Sequence, residues 1–113
     1  MNTLACLALV MYMEARGEPI LAKTYTAAVA VNLASQDNTS VCKSLSKKYR
    51  YSWMWDNKNT FVDKSKTLKL ESVAQKVILK NPLPGYYFFN ECRLGKRFKT
   101  PKEMVKAGNL CFY

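Results

Sequence analysis

The sequence predicts one α+β domain spanning residues 1–113, mostly helical, with a small β hairpin toward its C-terminus. Three observations carry this prediction. A chain of 113 residues has surface enough to bury for one core and no more. Apolar positions recur at helical spacing in the first third of the chain and again after Ser65, whereas only Tyr86–Phe89 reads as an aromatic, strand-prone run. With 49% apolar residues and charges scattered along the chain, the composition is that of a globular protein, not a disordered one.

Leu4, Leu7, Val10 and Met11 share one helical face, and Glu14 follows on that face three and four residues beyond Met11 and Val10. The first helix therefore delivers a carboxylate to the edge of the core. The apolar run Leu4–Met13 is too short to span a bilayer and lacks the basic stretch that precedes a signal peptide, so a buried helix without stable membrane insertion is expected. Gly17 and Pro19 end it. A second helix is predicted over Ile20–Ala34, with Tyr25, Ala28, Val29 and Asn32 on one face amid small residues that permit close packing, and Ser35–Asn38 break the pattern. Thr39 or Ser40 caps a short third helix to about Ser46.

Lys47–Asp63 is rich in aromatic and polar residues without helical or strand period and reads as a long functional loop. From Ser65, the positions Leu70, Val73, Ala74, Val77 and Ile78 give the clearest amphipathic period, ending at Asn81-Pro82. Tyr86–Phe89 then forms a strand that Leu94-Gly95-Lys96 turns back into a hairpin. Thr100-Pro101-Lys102-Glu103 is a capping box with Pro at the first helical position, which predicts a last short helix to about Ala107, before Gly108.

Eighteen Lys and Arg against eight Asp and Glu leave a net charge of +10, a field that concentrates polyanions. Nucleic acid, an anionic membrane face and anionic wall polymer all match that charge, and so does plain solubility. The cysteines Cys6, Cys42, Cys92 and Cys111 show no CxxC spacing, and without histidine a zinc site needs all four thiolates. Two disulfides in any of three pairings, or buried free thiols, are expected in preference to a metal, and no cofactor is implied.

The segment Met13-Glu14-Ala15-Arg16-Gly17-Glu18-Pro19 sets two carboxylates around an arginine at a helix end. Burial on the apolar face should raise the pKa of Glu14 and keep a proton available for donation, while Glu18 is placed to pair with Arg16 or with the next helix's N-terminus. A protonated carboxyl in a cleft suits glycoside cleavage, where the leaving oxygen must take up a proton. Glutamates near helix ends serve more often as caps or surface ion-pair partners. A sugar polymer also needs flat apolar faces and orienting amides or hydroxyls. The loop Tyr51-Ser52-Trp53 and the run Tyr86-Tyr87 to Asn90 supply both types, although alternate residues of a strand would equally serve the core. Asp56, Asp63 and Glu91 are candidate second carboxylates, each more often a solvated loop charge.

Cys6-Leu7-Ala8-Leu9 followed by Tyr12-Met13-Glu14-Ala15-Arg16-Gly17-Glu18-Pro19 resembles the opening of the SleB-like cell-wall hydrolases of spore-cortex-lytic enzymes and phage lysis proteins. The resemblance continues through Ala28-Val29-Ala30-Val31-Asn32, Val41-Cys42, Tyr51-Ser52-Trp53, Tyr86 to Asn90, and Gly108-Asn109 with Phe112-Tyr113. It implies a lysozyme-like fold, cleavage of the β-1,4 bond between N-acetylmuramic acid and N-acetylglucosamine, and Glu14 as the acid. Tyr51, Ser52, Trp53, Tyr86, Tyr87, Asn90 and Asn32 are the residues expected to meet the glycan strand, with Arg16 and Glu18 supporting. Members are regarded as lytic transglycosylases, in which the muramic acid 6-hydroxyl attacks and no second carboxylate is needed; a muramidase using water is the variant. Two positions depart from the pattern: Leu33 where the family has Arg, and Leu110 where it has His. A third departure is brevity, and no separate wall-binding domain is expected.

The expectation is thus a monomeric phage-type endolysin, made in a host bacterial cytoplasm without a signal peptide and acting on peptidoglycan at the wall once a partner protein has opened the membrane. No nucleic-acid partner is expected. The alternatives are a basic module that binds nucleic acid or anionic wall polymer, motivated by Lys47-Lys48-Tyr49-Arg50-Tyr51, and a wall binder that has lost catalysis.

Overall fold

A computed structural model describes residues 2–55 and 62–113, with Trp55 described by its backbone alone. Helix α1 (Thr3–Glu14) is capped by the Asn2 carbonyl oxygen Oδ1, which accepts from the Ala5 N–H at 2.8 Å. It is apolar nearly all round and buries Leu7, Ala8, Val10 and Met11 completely, which makes it the central helix of the core. Helix α2 (Ile20–Asp37) packs against it and buries Ala22, Ala27, Ala28, Ala30 and Ala34 in the same core. These small side chains let the two backbones approach.

Helix α2 runs past the predicted end at Ala34. Ser35, Gln36 and Asp37 complete another turn, and Asn38 closes it in the left-handed region (φ 55°), the conformation asparagine tolerates best after glycine. Helix α3 (Val41–Leu45) starts at Ser40, whose hydroxyl accepts from the Lys43 N–H. The aromatic loop carries a short helix α4 (Ser52–Trp55), and Asp56 lies outside the described residues. Helix α5 (Lys64–Leu79) is capped by Asp63 and buries Leu70, Ala74 and Val77. Ile78, predicted on the buried face, is 45% exposed, because it lies at the margin of the narrower stripe formed by Leu70, Ala74 and Val77.

The C-terminal third departs from the prediction. Strand β1 (Phe89–Glu91) does not form a hairpin with the chain that follows it; it pairs antiparallel with the final strand β3 (Leu110–Phe112), and a 3-10 turn occupies Cys92–Leu94. The hairpin lies instead between β2 (Val105–Ala107) and β3 across Gly108-Asn109, giving the order β1-β3-β2. The helix predicted from Thr100 is absent. The Lys96 ammonium takes the carbonyls of Thr100 and Lys102 that its first turn would have used, and the β-branched Val105 pairs opposite Phe112. A helix of one or two turns has too little cooperativity to resist that competition.

All four cysteines are paired. Cys6–Cys42 joins α1 to α3, and Cys92–Cys111 joins the 3-10 turn to β3. No helix among the described residues is long and apolar enough to cross a membrane. The fold is a compact α+β domain, mostly helical, with a small three-stranded antiparallel sheet.

Candidate active site

Glu14 is the last residue of α1. Ala15 after it is fully buried, so the helix ends inside the molecule and leaves Glu14 half-buried where two clefts meet. Burial raises its pKa above the usual glutamate value, opposed in part by a hydrogen bond in which the Trp53 indole N–H donates to Glu14 Oε1 at 2.8 Å. With an N–H donor on Oε1, a proton taken up by the carboxyl goes to Oε2. Beneath the pair, Tyr51 stacks on Trp53 with ring centroids 5.5 Å apart. Its hydroxyl is buried without a hydrogen-bond partner among the described residues, and burial followed by the charge of Glu14 pushes its ionisation well up.

The loop that carries Tyr51 and Trp53 is held by Asp37 in the added turn of α2. Its carboxylate accepts from Arg50, from Ser44 Oγ at 2.8 Å and from Lys47 Nζ at 3.2 Å, while Arg50 also donates to the Ser44 carbonyl. These bonds, Arg50 first, hold the Asp37 carboxyl well below the usual range. Stabilisation from a depressed carboxyl is present above its unfolded value, near pH 4, and is lost as pH falls toward the folded one. Asp37→Asn is accordingly expected to lose roughly 2 kcal/mol at pH 7, the scale of hydrogen bonds to a charged group. The deficit shrinks below about pH 4, as urea unfolding at pH 7 and pH 3 would measure.

The first cleft, about 480 Å³, has aromatic walls: Tyr49, Tyr51, Tyr87 and Phe98, with Arg50 and Arg97 between them. Phe98 is 53% exposed and its ring lies 4.8 Å from that of Phe88, a flat apolar face on the surface. The second cleft, about 570 Å³, is polar and lined by Arg16, Glu18, Glu91, Arg93, Lys106 and Asn109 among others. Each volume falls within the range of small-ligand sites.

Three carboxylates share the second cleft, and their partners separate them. Glu18 does not pair with Arg16: its Oε1 accepts from the Asn109 N–H at 2.6 Å, so it ties the turn after α1 to the β2–β3 turn. Arg16 lies over the Tyr12 ring, 4.2 Å from its centroid. Glu91 accepts from Arg93 at 2.6 Å. Glu14 alone of the three stands at the end of a buried helix, where it meets the indole N–H of Trp53. Asp63 is spent as the cap of α5.

Of the residues predicted to meet substrate, Tyr51, Trp53 and Tyr87 come to Glu14 or to its aromatic cleft. Asn32 does not face a cleft. It is 8% exposed, donates to the carbonyls of Leu83 and Tyr86 and accepts from Asn81, so it braces the segment that leads to Tyr87. Tyr86 turns its hydroxyl to the Glu103 carbonyl, Asn90 holds the carbonyl of Gly95 and the Tyr113 hydroxyl, and the exposed Ser52 lines neither cleft. Arg97, Phe98, Arg93 and Lys106 were missed; only the density of basic and aromatic residues around them could have marked them. Both departures from the resembled pattern line the site, Leu33 in the aromatic cleft and Leu110 in the polar one.

Among the described residues no group of three or more His, Cys, Asp and Glu could hold a metal ion. In the basic run Lys47–Tyr51, Lys47 and Arg50 bind Asp37 and Tyr51 is buried, so these three side chains are committed to the fold. Compared with protein-family models, with curated proteins and with solved structures, the chain finds no match.

Proposed function

We propose that this chain is a lysozyme-like glycosidase that cleaves the β-1,4 bond between N-acetylmuramic acid and N-acetylglucosamine in bacterial peptidoglycan, as a phage-type lysis enzyme. One observation carries the reading: a glutamate whose pKa is raised by burial sits where an aromatic cleft and a polar cleft meet. A glycan strand laid across both would stack sugar faces on Tyr87 and Phe98 and set its polar groups against Arg93, Lys106 and Asn109.

In the reaction, the Glu14 Oε2 proton passes to the glycosidic oxygen as the C1–O bond breaks and the muramic ring takes on oxocarbenium character. The Glu14 carboxylate, stabilised by the Trp53 N–H, then takes the proton of the hydroxyl that attacks C1. Attack by the ring's own 6-hydroxyl gives an anhydro end, and attack by water a reducing end.

Purified protein added to isolated peptidoglycan is expected to release soluble muropeptides, whose ends mass spectrometry identifies; no release defeats the reading. Trp53→Phe keeps the ring against Tyr51 and removes the N–H that lowers the pKa of Glu14. Activity requires the protonated acid and disappears as pH rises through that pKa, so the alkaline limb of the pH–rate profile should move to higher pH in the variant. An unmoved limb would show that the indole N–H does not tune the acid.

A further inference from the structure

Beside the polar cleft, and sharing Arg16 with it, lies a third cleft of about 330 Å³. Its charged lining is all cationic: Arg16 from the turn after α1, Lys23 from α2, and Lys66 and Lys69 one turn apart on α5. Tyr12, Ile20 and Leu70 supply its apolar lining. Four cations brought together by three separate elements repel one another, and nearby acids offset this little. Glu18 acts on Lys23, whose ammonium is held by the Glu18 main-chain carbonyl, and Asp63 acts on Lys66. Arg16, Lys66 and Lys69 have no ion pair among the described residues, and all three side chains are exposed.

We infer that this cleft binds a phosphodiester-linked polyanion of the cell wall, and so holds the enzyme beside the glycan strand it cuts. The inference rests on the glycan-cleaving reading for the choice of polymer. More than one anion is needed to neutralise four cations, which selects a chain of repeated phosphates over a single carboxylate, and lysines meet such phosphates as point charges. A nucleic acid strand would need an exposed aromatic platform for its bases. The one aromatic ring here, Tyr12, is 7% exposed and its face is covered by Arg16. The shared Arg16 puts the anionic chain and the glycan strand on adjoining surfaces.

Binding of soluble poly(glycerol phosphate) to the whole protein tests this without any need for cleavage. Wild type is expected to bind it with an affinity that falls steeply with salt, and the variant Lys66→Gln/Lys69→Gln to bind at least tenfold more weakly. Those lysines lie outside the Glu14 clefts, so the variant should keep its thermal midpoint and its rate on peptidoglycan stripped of phosphodiester polymer. A change in affinity of less than twofold overturns the proposal. So does equal binding of polyglutamate of matched charge, which would mean charge alone, and so does tighter binding of single-stranded DNA or of phosphatidylglycerol vesicles. If the stripped wall is not cleaved by wild type while the polymer binds and the variant loses it, the glycosidase reading fails and the anion site stands.

Discussion

Glu14→Gln is expected to reduce muropeptide release by at least 10²-fold, the low end of what a positioned general acid contributes. Glutamine keeps the shape and still accepts from the Trp53 N–H, but it carries no proton for the leaving oxygen. The same substitution should stabilise the fold at neutral pH. A group whose folded pKa is raised contributes fully below its unfolded value, near pH 4.3, and loses that contribution as pH rises through the folded one. At pH 7 the buried carboxylate is therefore a cost that the neutral amide lacks, whereas at pH 4 the two proteins should melt alike. Loss of activity with a raised melting midpoint at pH 7 is the pattern of a site residue held at the expense of stability. Undiminished release would remove Glu14 from the chemistry.

The largest effect on stability is expected from the bridge between α1 and α3. Cys6→Ser/Cys42→Ser opens a loop with a sequence separation of 36 and should cost roughly 3–4 kcal/mol in urea unfolding. Cys92→Ser/Cys111→Ser, with a separation of 19, should cost about 0.5 kcal/mol less on the same loop-entropy scale. The first pair reaches the site as well. Helix α3 supplies Ser44 to the Asp37–Arg50 network, so freeing α3 loosens the loop that brings Trp53 to Glu14. Its loss should lower activity at temperatures where the variant is still folded. Equal stability of the two double variants would mean that loop length does not govern the effect.

Helices α1, α3 and α5 were legible because their signals are local: an apolar stripe, a serine cap and a polar boundary at each end. So was Glu14 at the margin of the core, since helical spacing alone ties it to Val10 and Met11. The sheet was not legible. Strand β1 finds its partner at Leu110–Phe112, about twenty residues away, and three-residue strands carry too short an alternation to name a partner. The Thr100 capping box obeyed a local rule, but Lys96 and β3 offered its backbone other partners. Asn32 shows the same limit at the site. Its type suits a sugar ligand, and only the fold reveals that its amide is already committed to the chain between Asn81 and Tyr86.

The Cys92–Cys111 bridge sits in the wall of the polar cleft, with Glu91 and Arg93 on either side of Cys92 and Leu110 next to Cys111. A single 3-10 turn on the edge of so small a sheet would otherwise wander among many arrangements, and a ligand would have to select one of them at an entropic cost. Cross-linked to β3, that rim is preorganised: its two charged side chains start from an anchored base, and only their own rotamers remain to be ordered when something enters the cleft.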